Sequence, residues 1–431
     1  MLVGNTPRRV AVIAGSRIPF ARGNGAYATL SNADMLSAAI TGLVDRCRLR
    51  GQRLGDVIGG AVLKHSRDFN LVRECVLSSG LDPHTPGLDV QRACGTSLEA
   101  AILVANKIAL GQMDVGIACG VDTVSDPPVV FGKPFRDLLM RAHRARSAGQ
   151  RIGAFLGFRP SHFKPVFPGV NEPRTGLSMG ESCELMAKQW RVSRAEQDQL
   201  AYQSHMNAAA AWQAGFYDDL VIQHQGLTRD NNIRADTSLE KLGKLKPSFD
   251  SSSGQGTLTA GNSTPLTDGA SAVLLATAEW ATAHQLPVLA YLSYGKQWAV
   301  DFATGHEGLL MAPAYAVAAM LQDAALGLQD FDYYEIHEAF AAQVLCTLKA
   351  WESAEYCRER LGRDEALGSI DRSKLNLKGS SLAIGHPFAA TGTRIVATLA
   401  KQLAESATAK RGLISVCTAG GMGVTAILEK A

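Results

Sequence analysis

One succession of elements occurs twice in this chain, and it constrains the fold more than any other feature. In the first half, Gly87–Val90 leads into Cys94, apolar residues recur at helical spacing over Leu98–Leu110, and the apolar run Val115–Ala118 is closed by Gly120. In the second half, Ser381–Gly385 leads into His386-Pro387, a helical pattern spans Thr393–Leu403, and Leu413–Val416 is followed by the glycine-rich Gly420–Gly423. A turn with a reactive side chain, a helix and a buried strand form one unit, and its repetition predicts an internal duplication. Val10–Ala14 and the helical Met35–Leu49 add a β-then-α opening. Strands that alternate with helices imply a largely parallel sheet covered on both faces. Pseudo-symmetry would then bring the two reactive turns together at the centre of the molecule.

The size and charge of the chain bound its function. Its 431 residues are 46% hydrophobic and 19% charged, which excludes a wholly disordered chain and leaves room for two or three packing units. A net charge of +3 gives no global field that argues for nucleic acid. Met1–Arg9 lacks the apolar stretch of a signal peptide and no apolar run is long enough to span a bilayer, so a cytoplasmic protein is expected. The eight cysteines show no CxxC spacing, so no zinc ribbon, bound metal or redox pair is expected.

The texture changes between the halves. From about residue 126 to 256 prolines and charges are frequent, and one helix is well marked, Arg194–Gln213, with Ser193 as N-cap and Glu196 three residues on. The stretch reads as an insertion suited to substrate recognition. It divides the chain into a first half, 1–125, completed by about 257–285, the inserted loop domain 126–256, and a second half, 286–431. Within the insertion, 131–164 concentrates Lys133, Arg136, Arg141, Arg144, Arg146, Arg151, Arg159 and Lys164 against the single acid Asp137, with Phe135, Leu138, Leu139 and Ala142 at helical spacing. This predicts a basic, partly amphipathic segment.

Four segments carry chemistry. Cys94, in Gln91-Arg92-Ala93-Cys94-Gly95-Thr96-Ser97, sits where a strand gives way to a helix, and free N–H groups with the helix dipole there would favour a thiolate below the usual thiol pKa of ~8.5. His386 has the matching place in the second half, with Pro387 suited to the first helical position, and can take a proton or donate to an oxyanion. His337 follows an apolar run, and Cys417-Thr418-Ala419-Gly420-Gly421-Met422-Gly423 ends a strand with a second thiol and available backbone N–H groups. Taken singly, each is compatible with a structural role.

Together these segments resemble the thiolase family over nearly the whole chain. The matching elements are Gly15-Ser16-Arg17-Ile18-Pro19-Phe20, the Cys94 segment, Met179-Gly180, Lys244-Leu245-Lys246-Pro247, Asn262 to Ala270, the His337 segment, Gly385-His386-Pro387 and Cys417 to Gly423. The resemblance implies two βαβαβαββ halves in α/β/α/β/α layers with an inserted loop domain that binds coenzyme A. It implies cleavage of 3-ketoacyl-CoA by free CoA, or the reverse condensation, with CoA as substrate and no bound cofactor. By the same resemblance Cys94 accepts the acyl group, His386 is its base and an oxyanion donor, Cys417 is the second acid/base, and the N–H groups of Cys94 and Ala419 form a second oxyanion hole. Met179, Arg234 and Thr264 match CoA-contacting positions.

His337 stands where most members have asparagine, and Ala419 where they have glycine. His337-Glu338-Ala339-Phe340 with Pro265-Leu266-Thr267-Asp268 resembles the β-subunits of fatty-acid β-oxidation complexes, which implies a homodimer or tetramer, an α-subunit partner, and peripheral membrane contact through 131–164. An imidazole at 337 would add a titration near ~6.5. The readings set beside this one are a biosynthetic acetoacetyl-CoA thiolase, a ketosynthase using Cys94, His337 and His386, and a non-catalytic acyl-CoA-binding scaffold.

Overall fold

The computed structural model describes residues 7–304 and 306–431. Its strands are β1 (Ala11–Arg17), β2 (Ala21–Arg22), β3 (Asp56–Gly59), β4 (Gly87–Asp89), β5 (Val115–Asp122), β6 (Val130–Phe131), β7 (Pro165–Val166), β8 (Thr267–Ala276), β9 (Ala290–Ala299), β10 (Tyr333–Ile336), β11 (Arg411–Thr418) and β12 (Met422–Lys430). The main sheet runs β10-β11-β12-β9-β1-β8-β5-β3-β4. In the first half β4, β3 and β5 are parallel, and β8 lies antiparallel between β5 and β1. In the second half β10 and β11 are parallel, and β12 lies antiparallel between β11 and β9. The two halves therefore repeat one topology and join edge to edge, where Ala11 pairs with Tyr291 and Val12 with Ala290 in antiparallel register.

The repeat is imperfect at one strand. The second-half counterpart of β4 is a single parallel bridge between Tyr334 and Leu375. Ser381–Ile384, which precedes His386, is a short helix.

Three apolar cores separate the layers, and strand alternation sorts residues among them. On β5, Ile117, Cys119 and Val121 join an outer core with Met35, Leu36, Ile40 and Leu43 of the helix Asn32–Arg46. Ala118 faces the opposite way, into a central core with Leu98, Ile102, Ile395 and Leu399. The second half has its own outer core around Leu310, Val317, Val344 and Trp351. The helices Thr96–Ala109 and Thr391–Glu405 cross in the central layer. Their approach is close because Gly392 lacks a side chain: a Cβ there would lie 2.2 Å from the backbone nitrogen of Leu98.

The insertion holds five helices, more than its pattern marks: Lys133–Arg144, Ala148–Gly153, Met179–Gln189, Arg194–Gln213 and Leu239–Gly243. Ser193 and Glu196 form the expected capping box, and Ser178 with Glu181 forms another. Asp230 anchors this region to β1 through a buried two-pronged pair with Arg17, at 2.6 and 2.7 Å, and accepts the Phe20 N–H. Helix Arg194–Gln213 packs against the short helix Ser381–Ile384, so the insertion from one half braces the reactive loop of the other.

The basic segment folds as helix Lys133–Arg144 beside the two-stranded β6–β7 ribbon. Phe135 is its buried hub, with the rings of Phe131, Phe158 and Phe163 at 4.8, 6.0 and 4.6 Å. Lys133 pairs with Asp137 at 2.5 Å.

Candidate active site

Cys94 lies between β4 and the helix Thr96–Ala109 in a turn tightened by Thr96, whose hydroxyl donates to the Ala93 carbonyl (2.7 Å) and accepts the Arg92 N–H (2.8 Å). Ala93 adopts φ +43°, which aims the next side chain away from the strand direction. On the other side Gly385, at φ +111°, makes a turn that a side chain would strain, and His386 follows. The His386 N–H donates to Thr267 Oγ1 at 2.7 Å and the ring Nδ1 meets Thr391 Oγ1 at 2.6 Å. Nε2 then lies 3.1 Å from the Cys94 sulfur, a contact between residues 292 positions apart. Asp122, at the end of β5, holds this junction by accepting the N–H groups of Val62, Leu63 and Ala389.

Pro387 does not begin the long helix. It caps a single 3-10 turn, Phe388–Ala390, and the helix starts at Thr391. The expectation of a depressed Cys94 pKa is also overturned. Burial pushes the thiol up to about 12, outweighing the Ala419 N–H that faces the sulfur. Burial, with the nearby Arg394 charge, pushes His386 down to about 3. The resting pair is a neutral thiol hydrogen-bonded to a neutral imidazole, ready to pass its proton when the sulfur attacks.

The other two reactive side chains converge here. Cys417 ends β11, is buried, and has its thiol held well above the ordinary range by that burial and by Cys94, against the opposing N–H of Ala339. The turn that follows places Gly420, whose N–H donates to Glu172 of the insertion at 2.7 Å. His337 follows β10, its ring centroid 4.2 Å from that of His386. Its Nδ1 lies 2.8 Å from Ser381 Oγ, while Nε2 has no partner among the described residues. Burial, His386 and Arg394 hold His337 well below its ordinary pKa, which corrects the expected titration near neutrality.

Donor atoms of Cys94, His337 and His386 lie within 4.8 Å of one another. These are ligand types that suit a soft cation, but the thiol–imidazole hydrogen bond engages the sulfur and nitrogen such an ion would need, and the arrangement serves proton transfer.

A cavity of about 260 Å³ is walled by Arg22, His205, Arg234, Asp236, Lys241 and Leu382 among others; none of the four reactive side chains lines it, and Leu382 connects it to the Ser381 loop. Arg234 thus stands in a wall with Arg22 and with Lys241, which pairs with Asp236 at 3.1 Å, and its backbone N–H donates to His205 Nδ1. Thr264 is adjacent in sequence to wall residues, but its hydroxyl donates to the Ser381 carbonyl at 3.0 Å. Met179 begins its helix, packs on the outer core of the second half, and is not among the cavity's lining residues.

Sequence reasoning missed Thr391 and Arg394 and gave no role to Thr267 and Ser381, which lie inside segments the sequence marks, because hydroxyls and a lone arginine give no periodic signal. Glu338 was visible within its motif, but its role was not. Its carboxylate accepts Ser204 Oγ, Asn376 Nδ2 and the Leu382 N–H, joining the insertion to both reactive loops of the second half.

The model of the thiolase N-terminal domain matches residues 10–279 and that of the thiolase C-terminal domain matches 288–430. The chain belongs to the thiolase family. It is 40% identical to 3-ketoacyl-CoA thiolases of Shewanella baltica and Shewanella halifaxensis over 427 residues, 98% of this chain and 97% of those. Among solved structures, this thiolase is similar to the Bacillus anthracis acetyl-CoA acetyltransferase, at a TM-score of 0.81 and 27% identity over 99% of this chain and 100% of that one. It is similar to the same degree of shape to human mitochondrial 3-ketoacyl-CoA thiolase in complex with CoA, at 0.81 and 26% identity over 98% of each chain. Membership makes it an acyltransferase with the duplicated fold described above.

Proposed function

We propose that this thiolase cleaves 3-ketoacyl-CoA with free CoA, giving acetyl-CoA and an acyl-CoA shortened by two carbons, in fatty-acid β-oxidation. The observation that carries the reading is the 3.1 Å contact between His386 Nε2 and the Cys94 sulfur, with the Ala419 N–H and Cys417 beside it. Cys94 gives its proton to His386 as the sulfur attacks the 3-keto carbon. The bond between C2 and C3 breaks, and its electron pair becomes the enolate of acetyl-CoA. Cys417 protonates that enolate, and Cys94 is left as a thioester. Cys417 then takes the proton of incoming CoA, whose sulfur attacks the acyl carbon and expels the Cys94 sulfur, to which His386 returns its proton. The N–H groups of Cys94 and Ala419 stabilise the oxyanion at the acyl carbon, and His386 with His337 stabilise the enolate oxygen.

Arg22 and Arg234 support placing CoA phosphates along the cavity, with residues 126–256 acting as the loop domain. A reducing cytoplasm keeps both thiols reduced, as the reaction requires. Incubation with acetoacetyl-CoA and free CoA, and then with 3-ketoacyl-CoAs of increasing length, tests activity and chain-length preference. Cys94→Ala abolishes turnover and removes the acyl adduct seen by mass spectrometry of the intact protein. An adduct elsewhere, or retained turnover, refutes the assignment.

We infer in addition that the chain works as a homodimer or tetramer and that residues 131–164 dock on an anionic membrane surface. Leu156 and Ile152 are 79% and 73% exposed in the segment that follows the helix carrying Arg136, Arg141 and Arg144. Apolar side chains beside basic ones are what a headgroup interface accepts. Flotation with vesicles containing anionic lipid captures the protein, and a triple change of Arg141, Arg144 and Arg146 to Glu releases it without raising KM for CoA. Co-purification with a hydratase–dehydrogenase subunit, lost in the same variant, assigns the surface to an α-subunit instead.

A further inference from the structure

His337 is the one residue of the reactive cluster whose ring is half engaged. Nδ1 meets Ser381 Oγ at 2.8 Å, and Nε2, fully buried, faces the space shared with Cys94 and His386 without a partner among the described residues. A neutral imidazole carries its proton on one nitrogen, and the hydrogen bond made by the other decides which. Ser381 makes that decision, because its own surroundings fix the direction of its hydroxyl. Arg394 Nη2 donates to Ser381 Oγ at 3.0 Å, and a guanidinium never accepts. The imidazole Nδ1 is the remaining side-chain partner of that hydroxyl among the described residues, so it receives the Ser381 proton. The arginine charge polarises the hydroxyl and strengthens this direction.

Ser381 and His337 are held from both sides, while Arg394 reaches the relay through Nη2 alone, its Nε and Nη1 being buried without a hydrogen-bond partner among the described residues. Arg394 is buried in the central helix, where desolvation lowers its pKa against the opposing charges of the buried Glu335 and Glu338, with which it forms no direct ion pair among the described residues. The Ser381 carbonyl accepts Thr264 Oγ1, and the next residue's N–H is tied to Glu338. The N–H of His337 donates to the Ser415 carbonyl at 2.8 Å, which fixes the ring's root.

We propose that Arg394 and Ser381 act as positioning residues that lock His337 in the neutral tautomer protonated at Nε2, making it a standing N–H donor to the substrate's thioester oxygen. The inference deepens the function proposed above and rests on it for the identity of the acceptor. It explains how imidazole can stand at this place without becoming a competing base for the Cys94 proton. The only nitrogen aimed at the site already carries hydrogen, and the lone pair is turned away toward Ser381.

Neutron diffraction from deuterium-exchanged wild-type crystals reads the tautomer directly. The expected result is deuterium on His337 Nε2 and on Ser381 Oγ, pointing at Nδ1. Deuterium on Nδ1 overturns the proposal. In solution, Ser381→Ala lowers kcat by up to about 100- to 1000-fold, the scale of a lost oxyanion donor, with KM and melting temperature close to wild type. Ser381→Thr restores the rate by returning the hydroxyl. Wild-type kcat in Ser381→Ala overturns the positioning role, and equal loss in the Thr variant does the same. Should wild-type protein show no thiolase turnover, the proposed function fails, while the diffraction result still decides the tautomer on its own.

Discussion

Replacing Gly392 with alanine tests whether the central helix crossing sets the distance between Cys94 and His386. The added methyl would stand 2.2 Å from Leu98 N and 2.8 Å from its Cα, both backbone atoms that no rotamer change can move aside. Ordinary contact begins near 3.4 Å. The two helices must therefore part by roughly 1 Å, the difference between those separations. Cys94 precedes one helix and His386 the other, and Thr393 N–H donates to Ser97 Oγ across the same crossing at 2.9 Å. Overpacking of this kind costs about 1–3 kcal/mol, which lowers Tm by only about 1–4 °C in a chain this long. A misplacement of about 1 Å at the reacting atoms costs on the order of 100-fold in rate. The expected outcome is thus a folded enzyme with kcat for acetoacetyl-CoA cleavage reduced about 100-fold, beside a Gly149→Ala control, which meets nothing within 4 Å and should match wild type. If Gly392→Ala keeps both its rate and its Tm, the crossing does not govern the site and the reasoning fails.

Other outcomes follow from the same geometry. Cys417→Ala should still form the Cys94 acyl adduct from acyl-CoA but turn over at least about 100-fold more slowly, and an unimpaired steady-state rate would make Cys417 a packing residue. His337→Asn should stay active and leave the pH–rate profile between 5 and 8 unmoved, because burial already holds that imidazole neutral. A displaced limb would show that it titrates. His386 has a folded pKa of about 3 against ~6.5 when unfolded, so the unfolded chain takes up the extra proton and stability is lost as pH falls below 6.5. By pH 5 that loss is about 2 kcal/mol, and urea titrations of His386→Asn should lack it; an equal pH dependence in the two proteins would contradict the neutral assignment.

The two halves, their order and the four reactive side chains were legible because strand runs, helical spacing and glycine turns are local signals. The second-half counterpart of β4 was not, since a single bridge at Leu375 leaves no strand pattern and Ser381–Ile384 coils instead. The direction of the Cys94 pKa was misjudged for a related reason. The helix terminus is visible in sequence, while the desolvation that outweighs it comes from segments hundreds of residues away. The roles of Ser381, Thr391 and Arg394 escaped notice because a hydroxyl acquires its role only from what folding sets against it.

The place of β8 has a consequence for how the chain is made. It lies between β5 and β1, yet it emerges from the ribosome only after the whole insertion. The first half of the sheet consequently waits, with β5 and β1 unjoined, until residue 276 has been synthesised, and Cys94 waits longer still for a base that arrives at residue 386. A nascent chain holding the first half alone has a nucleophile with no proton acceptor. Turnover during translation therefore cannot appear until the second half has folded and docked on the first.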